Sequence, residues 1–230
     1  MAKVKVKKQS TFIDMTAMSD VTVLLLTFFM LTSTFIAKEP IQVTTPYSVS
    51  EIKIPDTNIM TILVDQHGKI FLSLDFQQDQ VLETLRAVGD DYGYTFTPKQ
   101  EESFRKLKSF GVPMATMRDF LDMTVEKQDA FMRDIANPRV GIPTDSVQVK
   151  DALGGIISWD NEFKRWVMHA TRIRDEYRKG NMETIPELQI AIKADQTTNY
   201  PVVKKVMDDL REMRKNRYLL ITNLKTASGE

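Results

Sequence analysis

Residues 13–37, which read IDMTAMSDVTVLLLTFFMLTSTFIA, decide how the rest of the chain is organised. From Ala17 to Ala37 this stretch contains no Lys or Arg, and its only charged residue is Asp20. A membrane-spanning helix needs about 20 mostly apolar residues, so the pattern predicts a transmembrane helix over residues 15–37. A charged side chain at mid-membrane costs roughly 2.5–3.5 kcal/mol on insertion scales. We therefore expect Asp20 to face a partner helix or a wet cavity, with a position near the lipid headgroups as the alternative.

Three threonines share the Asp20 face of this helix. At about 100° per residue, Thr27 lies about 20° from the direction of Asp20, and Thr16 and Thr34 lie about 40° from it. Two interpretations remain open here. The threonines form a functional polar stripe with Asp20, or their hydroxyl groups simply bond back to the helix backbone.

Composition excludes several classes of protein. Lys+Arg and Asp+Glu are equal at 31 each, whereas a nucleic-acid binder is expected to be basic. The chain has no cysteine, which excludes disulfides and thiolate metal sites. His67 and His169 stand too far apart in the sequence for a zinc motif. We therefore predict no metal, no cofactor and no nucleic-acid partner.

The N-terminal flank predicts the orientation of the chain in the membrane. Residues 1–14 form a basic tail, and its first eight residues contain four lysines and no acid. The apolar run is longer than the core of a typical signal peptide, and the best cleavage site, after Ala37, has Phe35 where a small residue is required. The positive-inside rule then places the N-terminus in the cytoplasm and the residues after the span in the periplasm.

Residues 38–58 are predicted to be an extended periplasmic linker, because three prolines interrupt any helix there. The alternation of Ile52, Lys53 and Ile54, followed by Pro55, is also typical of a segment that adds to the edge of a sheet. Ile52, Ile54 and Pro55 are therefore candidate partner-binding residues, with a plain linker as the alternative.

Two separated segments predict one small α+β domain. Residues 59–91 read as a hairpin with a turn at residues 65–68, followed by a helix. Residues 188–226 read as a strand, a helix from Tyr200 and a last strand. Together they predict a sheet with helices on one face.

Residues 92–187 read as a helical insertion between these two halves. Thr97-Pro98-Lys99-Gln100 is a helix start, predicted to lead into a helix that stops at Gly111. A second helix is predicted after Thr124, and the longest from about residue 160 to 179. No catalytic motif occurs in this segment. Because its helices carry their own caps and apolar faces, we expect a semi-independent unit that serves as a contact surface, with a passive spacer as the alternative.

Residues 13–21, IDMTAMSDV, followed by LLLTFFMLTS, resemble the start of the span in the ExbD/TolR biopolymer-transport family. In that family an Asn or Asp precedes Thr-Pro-apolar-Ile-Asp-Val, so Ala17 and Ser19 depart from the pattern. Residues 190–213, IAIKADQTTNYPVVKKVMDDLREM, are similar to the family's periplasmic strand–turn–helix, and residues 52–55 resemble its strand ending in Leu-Pro. The resemblance covers roughly residues 10–90 and 187–225.

This resemblance implies a proton-driven stator rather than an enzyme. In that family a dimer of such chains sits inside a pentameric ring of a multi-span ExbB/TolQ-like protein in the bacterial inner membrane. The aspartate of the span, here Asp20, takes and releases protons, and the periplasmic domains pass the work to a TonB- or TolA-like protein. ExbD-like energising of outer-membrane transport and TolR-like envelope maintenance both remain open. The alternative from another class is a single-pass structural anchor that carries a periplasmic binding domain.

Overall fold

The computed structural model describes residues 15–32, 43–45, 47–48, 58–134, 136–145, 147–150, 156–180, 187–221 and 223–224. The chain divides into two compact units, residues 1–38 and residues 39–230. Each unit is described by itself.

The first unit contains helix α1, Met15–Thr32. Its 18 residues rise about 27 Å at 1.5 Å per residue. The helix is long and apolar enough to cross a membrane, with a mean hydropathy of 1.6, and none of its side chains is buried within the protein. The predicted apolar N-terminal helix is thus confirmed over Met15–Thr32, whereas residues 33–37 lie outside the described residues.

The second unit contains both strands and helices. Its described strands are β1 (Tyr47–Ser48), β2 (Ile59–Val64), β3 (Ile70–Asp75), β4 (Val147–Lys150), β5 (Ile156–Asp160), β6 (Gln189–Ala194), β7 (Tyr218–Leu220) and β8 (Asn223–Leu224). Its described helices are α2 (Gln78–Asp91), α3 (Pro98–Arg105), α4 (Met114–Leu121), α5 (Val125–Arg133), α6 (Glu162–Gly180) and α7 (Tyr200–Glu212).

A mixed four-stranded sheet with the order β3-β2-β6-β7 forms the centre of this unit. β2 is antiparallel to β3 and parallel to β6, and β6 is parallel to β7. The predicted hairpin turn is present, because Gly68 has a φ of 77° and its N–H donates to the carbonyl of Asp65 at 2.8 Å. The α+β class predicted from the sequence is therefore confirmed.

One face of the sheet carries the main hydrophobic core. Alternate residues of β2, such as Met60 and Ile62, point to the same side as Ile190 of β6, as the two-residue period of a strand requires. The core residues that the flanking helices contribute on this side include Leu85 of α2 and Leu210 of α7. Both leucines are fully buried, so burial of these helix faces fixes α2 and α7 on the sheet.

Residues 92–187 share this core instead of forming a unit of their own. Trp166 of α6 is fully buried, and its ring centroid lies 4.6 Å from that of Phe110 and 6.3 Å from that of Phe104. All three aromatic residues belong to the same cluster as Ile62 of the sheet. The expectation of semi-independent packing was wrong, because the apolar faces of these helices are buried against the sheet's own helices and strands.

The helices within this segment also differ from the prediction. α3 ends at Arg105 rather than at Gly111, because Phe110 leaves the helix and exchanges two backbone hydrogen bonds with Leu72, at 2.8 and 2.9 Å. α4 follows at Met114 and was not predicted. β4 and β5, which pair antiparallel, were not predicted either. The capping box at Thr97 is present as predicted.

A smaller cluster covers the opposite face of the sheet. It consists of Val43, Leu63, Phe71 and Val140. Val43 comes from the segment that follows the membrane helix, so this segment is already packed on the sheet by residue 43. The predicted linker, residues 38–58, therefore contains at least one short stretch that belongs to the folded unit.

Candidate functional site

Asp20 lies in the second turn of α1 and is the sole ionisable residue of the described helix. Its side chain is exposed, as are those of the valines, leucines and phenylalanines that follow it. An exposed carboxylate on a helix of this apolarity cannot face hydrocarbon without a large cost. The arrangement therefore needs either a polar partner for the charged carboxylate or a proton that neutralises it.

The hydroxyl groups of α1 bond within the helix. Thr27 donates to the carbonyl of Leu24 at 2.9 Å, and the hydroxyls of Ser19, Thr22 and Thr32 donate to carbonyls one turn back. This geometry is the backbone bonding expected of hydroxyl residues in apolar helices. A hydroxyl oxygen that donates its proton can still accept, so Thr27 remains able to receive a hydrogen bond from a protonated carboxyl group.

The remaining members of the predicted stripe are placed as follows. Thr16 lies one turn before Asp20 on the described helix, whereas Thr34 lies outside the described residues. The polar stripe with Asp20 therefore stays a prediction. The predicted partner-binding residues Ile52, Ile54 and Pro55 also lie outside the described residues.

A second feature joins the segment after the membrane helix to the folded unit. The backbone N–H of Thr44 donates to Oδ2 of Asp195 at 2.9 Å, and the N–H of Gln196 donates to the carbonyl of Thr44 at 2.9 Å. Thr45 is buried beside them, with 2% of its surface exposed. We call this contact, formed by Thr44, Asp195 and Gln196, the linker clasp.

The geometry of the β6–α7 turn prepares Asp195 for this role. Its Oδ1 accepts the N–H of Thr197 at 2.9 Å and the hydroxyl of the same residue at 2.6 Å, as in an Asx-turn. The side-chain hydrogen bond from Thr197 holds the pKa of Asp195 below its ordinary value, assisted by the backbone N–H groups of Thr197 and Thr44. The carboxylate is thereby kept charged and oriented toward Thr44.

Sequence reasoning placed Asp195 in a turn but did not find the linker clasp. The Asp-Gln-Thr-Thr sequence signals a side-chain-capped turn. It carries no signal for a partner 151 positions earlier in the chain. Within the described residues, no group of three His, Asp or Glu side chains is placed to hold a metal ion.

Comparison with known protein families identifies the N-terminal part of the chain. Residues 7–95 match the family model described as biopolymer transport protein ExbD/TolR. No curated protein sequence and no solved structure gave a significant match.

The segment that contains α1, β2, β3 and α2 is thus an ExbD/TolR family domain, as the resemblance predicted. The match supports a general ExbD/TolR-type role in biopolymer transport, and the members of this family are transport subunits rather than enzymes. The predicted resemblance of residues 187–225 lies outside the matched segment and stays a prediction.

Proposed function

We propose that this protein is the ExbD-like subunit of a proton-driven motor in the bacterial inner membrane. The observation that carries the proposal is Asp20, the sole ionisable residue of the described apolar helix within the segment that matches the ExbD/TolR family. In this role Asp20 accepts a proton on one side of the membrane and releases it on the other. The folded outer unit passes the resulting work to a TonB-type protein that energises outer-membrane transport.

The chemistry of a carboxyl group suits this function. When charged, Asp20 needs a polar partner, and when protonated it is a neutral group that crosses an apolar surface at lower cost. A proton that moves through a membrane potential of 100 mV yields about 2.3 kcal/mol. Protonation of a single side chain can therefore switch the preferred position of the helix relative to a partner.

The proposed assembly has a pentameric ring of a multi-span ExbB/TolQ-like protein around a dimer of this chain. Such a ring supplies the polar environment that the exposed Asp20 lacks on its own helix. The basic tail before α1 supports a cytoplasmic N-terminus and a periplasmic folded unit. Two alternatives stay open: a TolR-like subunit with a TolA-like partner for envelope integrity, and a single-pass structural anchor in which Asp20 serves only helix assembly.

The test replaces Asp20 by Asn, which preserves the shape but cannot release a proton. We expect Asp20→Asn to insert into the membrane and co-purify with the ring protein while transport is lost. Asp20→Glu, which keeps a titratable group, should retain part of the activity. Ser19→Ala, which removes a hydroxyl that bonds to Met15 within the helix, serves as the matched control and should behave like the wild type.

Three results would argue against the motor. Transport at the wild-type level in Asp20→Asn would remove Asp20 as the proton carrier. Purification of the wild-type protein without any multi-span partner, under conditions that preserve membrane complexes, would favour the structural anchor. If Asp20→Asn instead fails to assemble with the ring, Asp20 acts in helix assembly, as the anchor alternative requires.

A further inference from the structure

Arg174 belongs to α6, and its buried side chain lies beside the start of α2. Only 6% of its surface is exposed, and burial lowers the pKa of its guanidinium group. One nitrogen, Nη1, donates to Oε1 of Gln80 at 2.8 Å, and the guanidinium carbon lies 5.7 Å from the ring centroid of Phe76. These contacts place the charge against the first turn of α2 and against Phe76, two residues before the helix begins.

Arg174 has no acidic partner in the described part of the chain. Of the other buried charged side chains there, Lys164 and Asp209 pair with each other. Burying an isolated charge costs several kcal/mol, which is why buried charges in proteins are paired. Among the described residues, the guanidinium group of Arg174 therefore lacks the counter-charge that such a position requires.

The same place has enclosed hydrogen-bond donors without acceptors. Nε of Arg174 and Nε2 of Gln80 are both enclosed and make no hydrogen bond. Because Oε1 of Gln80 accepts from Arg174, the orientation of the amide is fixed and its NH₂ group is the one left over. Nε of Arg178, one turn further along α6, is also enclosed and without an acceptor. A donor that is enclosed in a protein without an acceptor destabilises the fold.

The electrostatic potential at the start of α2 is also unfavourable for a cation without a partner. The N-terminus of a helix carries a partial positive charge, and the side chain of Gln77 does not cap α2. The acid of the first turn, Asp79, is 81% exposed and pairs with Arg105 at 3.2 Å. The helix dipole, the buried guanidinium group and the amide donors without acceptors thus all favour the binding of an anion at this position.

We propose that Arg174, Gln80 and the first turn of α2 form a binding site for an anionic oxygen group, either a phosphate or a carboxylate. Both chemistries offer oxygen acceptors to a guanidinium group and to an amide NH₂ group, and both carry the negative charge that a helix N-terminus favours. Bound there, the anion supplies the counter-charge of Arg174 and links α2 to α6. The site is independent of Asp20 and of proton transport.

The test compares unfolding of the full-length protein in an uncharged detergent, in sodium phosphate, in sodium acetate and in sodium chloride at equal pH and ionic strength. We expect the Tm of the wild type to rise by about 2–4 °C in phosphate or in acetate relative to chloride. A rise in phosphate alone assigns a phosphate ligand, and a rise in acetate alone assigns a carboxylate.

Arg174→Met removes the charge but keeps an unbranched apolar side chain, and it should abolish the anion-dependent rise. Because it also removes an uncompensated buried charge, its Tm in chloride should equal or exceed that of the wild type. Arg211→Met, which removes an exposed arginine on α7, is the matched control and should keep the full anion response. If Arg174→Met does not fold, Gln80→Met, with the same expected loss of response, decides the question.

The proposal is overturned if wild type and Arg174→Met respond equally to the anions, because the effect is then a general one of the salt on the protein surface. It is also overturned if the wild type shows no anion-dependent rise in phosphate or in acetate. In that case Arg174 contributes to the fold only through packing and through its hydrogen bond to Gln80.

Discussion

Asp195 holds the backbone of Thr44 by a hydrogen bond of 2.9 Å across 151 positions of the chain. Thr44 belongs to the segment that follows the membrane helix, whereas Asp195 lies in the turn between β6 and α7. The clasp therefore attaches the start of the folded unit to the parallel part of its sheet.

Replacing Asp195 by Ala should weaken this attachment. The substitution removes the acceptor for the N–H of Thr44 and for the N–H and hydroxyl of Thr197. We expect the free energy of unfolding to fall by about 1–2 kcal/mol, measured by urea titration in detergent. Asp195→Asn, which keeps a carbonyl oxygen, should lose less. A transport defect that is larger than the loss of stability explains would indicate that the clasp also takes part in the transport function.

The clasp should make the folded unit sensitive to acid. The pKa of Asp195 in the folded protein lies below its ordinary value of 3.8 because Thr197 and Thr44 donate to the charged form. A lowered folded-state pKa gives stability that is present above 3.8 and is lost as the pH falls through the folded-state pKa. The stability difference between wild type and Asp195→Asn should therefore shrink below about pH 4. A difference that is constant between pH 3 and pH 7 would contradict this account.

The segment 92–187 should unfold together with the sheet. Trp166→Ala removes a fully buried ring that contacts Phe104 and Phe110, and we expect it to cost about 3–5 kcal/mol. Tyr200→Ala, at a tyrosine with 66% of its surface exposed, is the control and should change stability by less than about 0.5 kcal/mol. Wild type and Trp166→Ala should each unfold in one transition by circular dichroism and tryptophan fluorescence.

Replacement of residues 92–187 by a Gly/Ser linker gives a sharper version of the same prediction. The deletion removes core residues of α3, α4, α5 and α6 that cover the sheet. We expect a product without a cooperative unfolding transition, even though the ends of the deleted segment adjoin the two halves of the sheet. A deleted protein that folds cooperatively would show that the sheet, α2 and α7 suffice as a core.

Lys164 should be far more important for stability than an exposed lysine. Its ammonium group lies 3.4 Å from Asp209 and also contacts Glu212, and both Lys164 and Asp209 are buried. Lys164→Met leaves the charge of Asp209 without a cation, which should cost about 3–5 kcal/mol. Asp209→Asn in the same chain should recover part of that loss.

The control for this experiment is Lys205→Met. Lys205 pairs with Asp145 at 3.4 Å on the surface, where the Asp145 side chain is fully exposed. Exposed ion pairs contribute at most about 1 kcal/mol. Equal losses in Lys164→Met and Lys205→Met, compared by urea unfolding, would argue that the buried pair is screened by solvent.

The orientation in the membrane can be tested with a reporter. The four lysines before the span predict a cytoplasmic N-terminus and an exported outer unit. A phosphatase that is active only after export, fused behind Glu230, should be active. The matched fusion in front of Met1 should be inactive. A stable but inactive fusion behind Glu230 would overturn the orientation and, with it, the proposed motor.

The sequence by itself determined the elements whose signals are local. The apolar helix with its one carboxylate follows from composition, because the cost of charge in lipid depends on the residue and not on the rest of the fold. The hairpin at residues 59–75 follows from two runs of strand-forming residues on either side of a turn that contains a glycine. The start of α3 follows from a capping box formed by residues close together in the sequence.

The tertiary structure alone decided which of these elements share a core and which distant groups meet. The pattern of α6 predicted a buried face but not its neighbours, and only the fold stacks Trp166 on Phe104. The end of α3 depended on Phe110 leaving the helix to pair with Leu72. The clasp of Asp195 and the hydrogen bond from Arg174 to Gln80 likewise arise between segments far apart in sequence. Their energies depend on burial and on partners across space, and neither is encoded in a local window of residues.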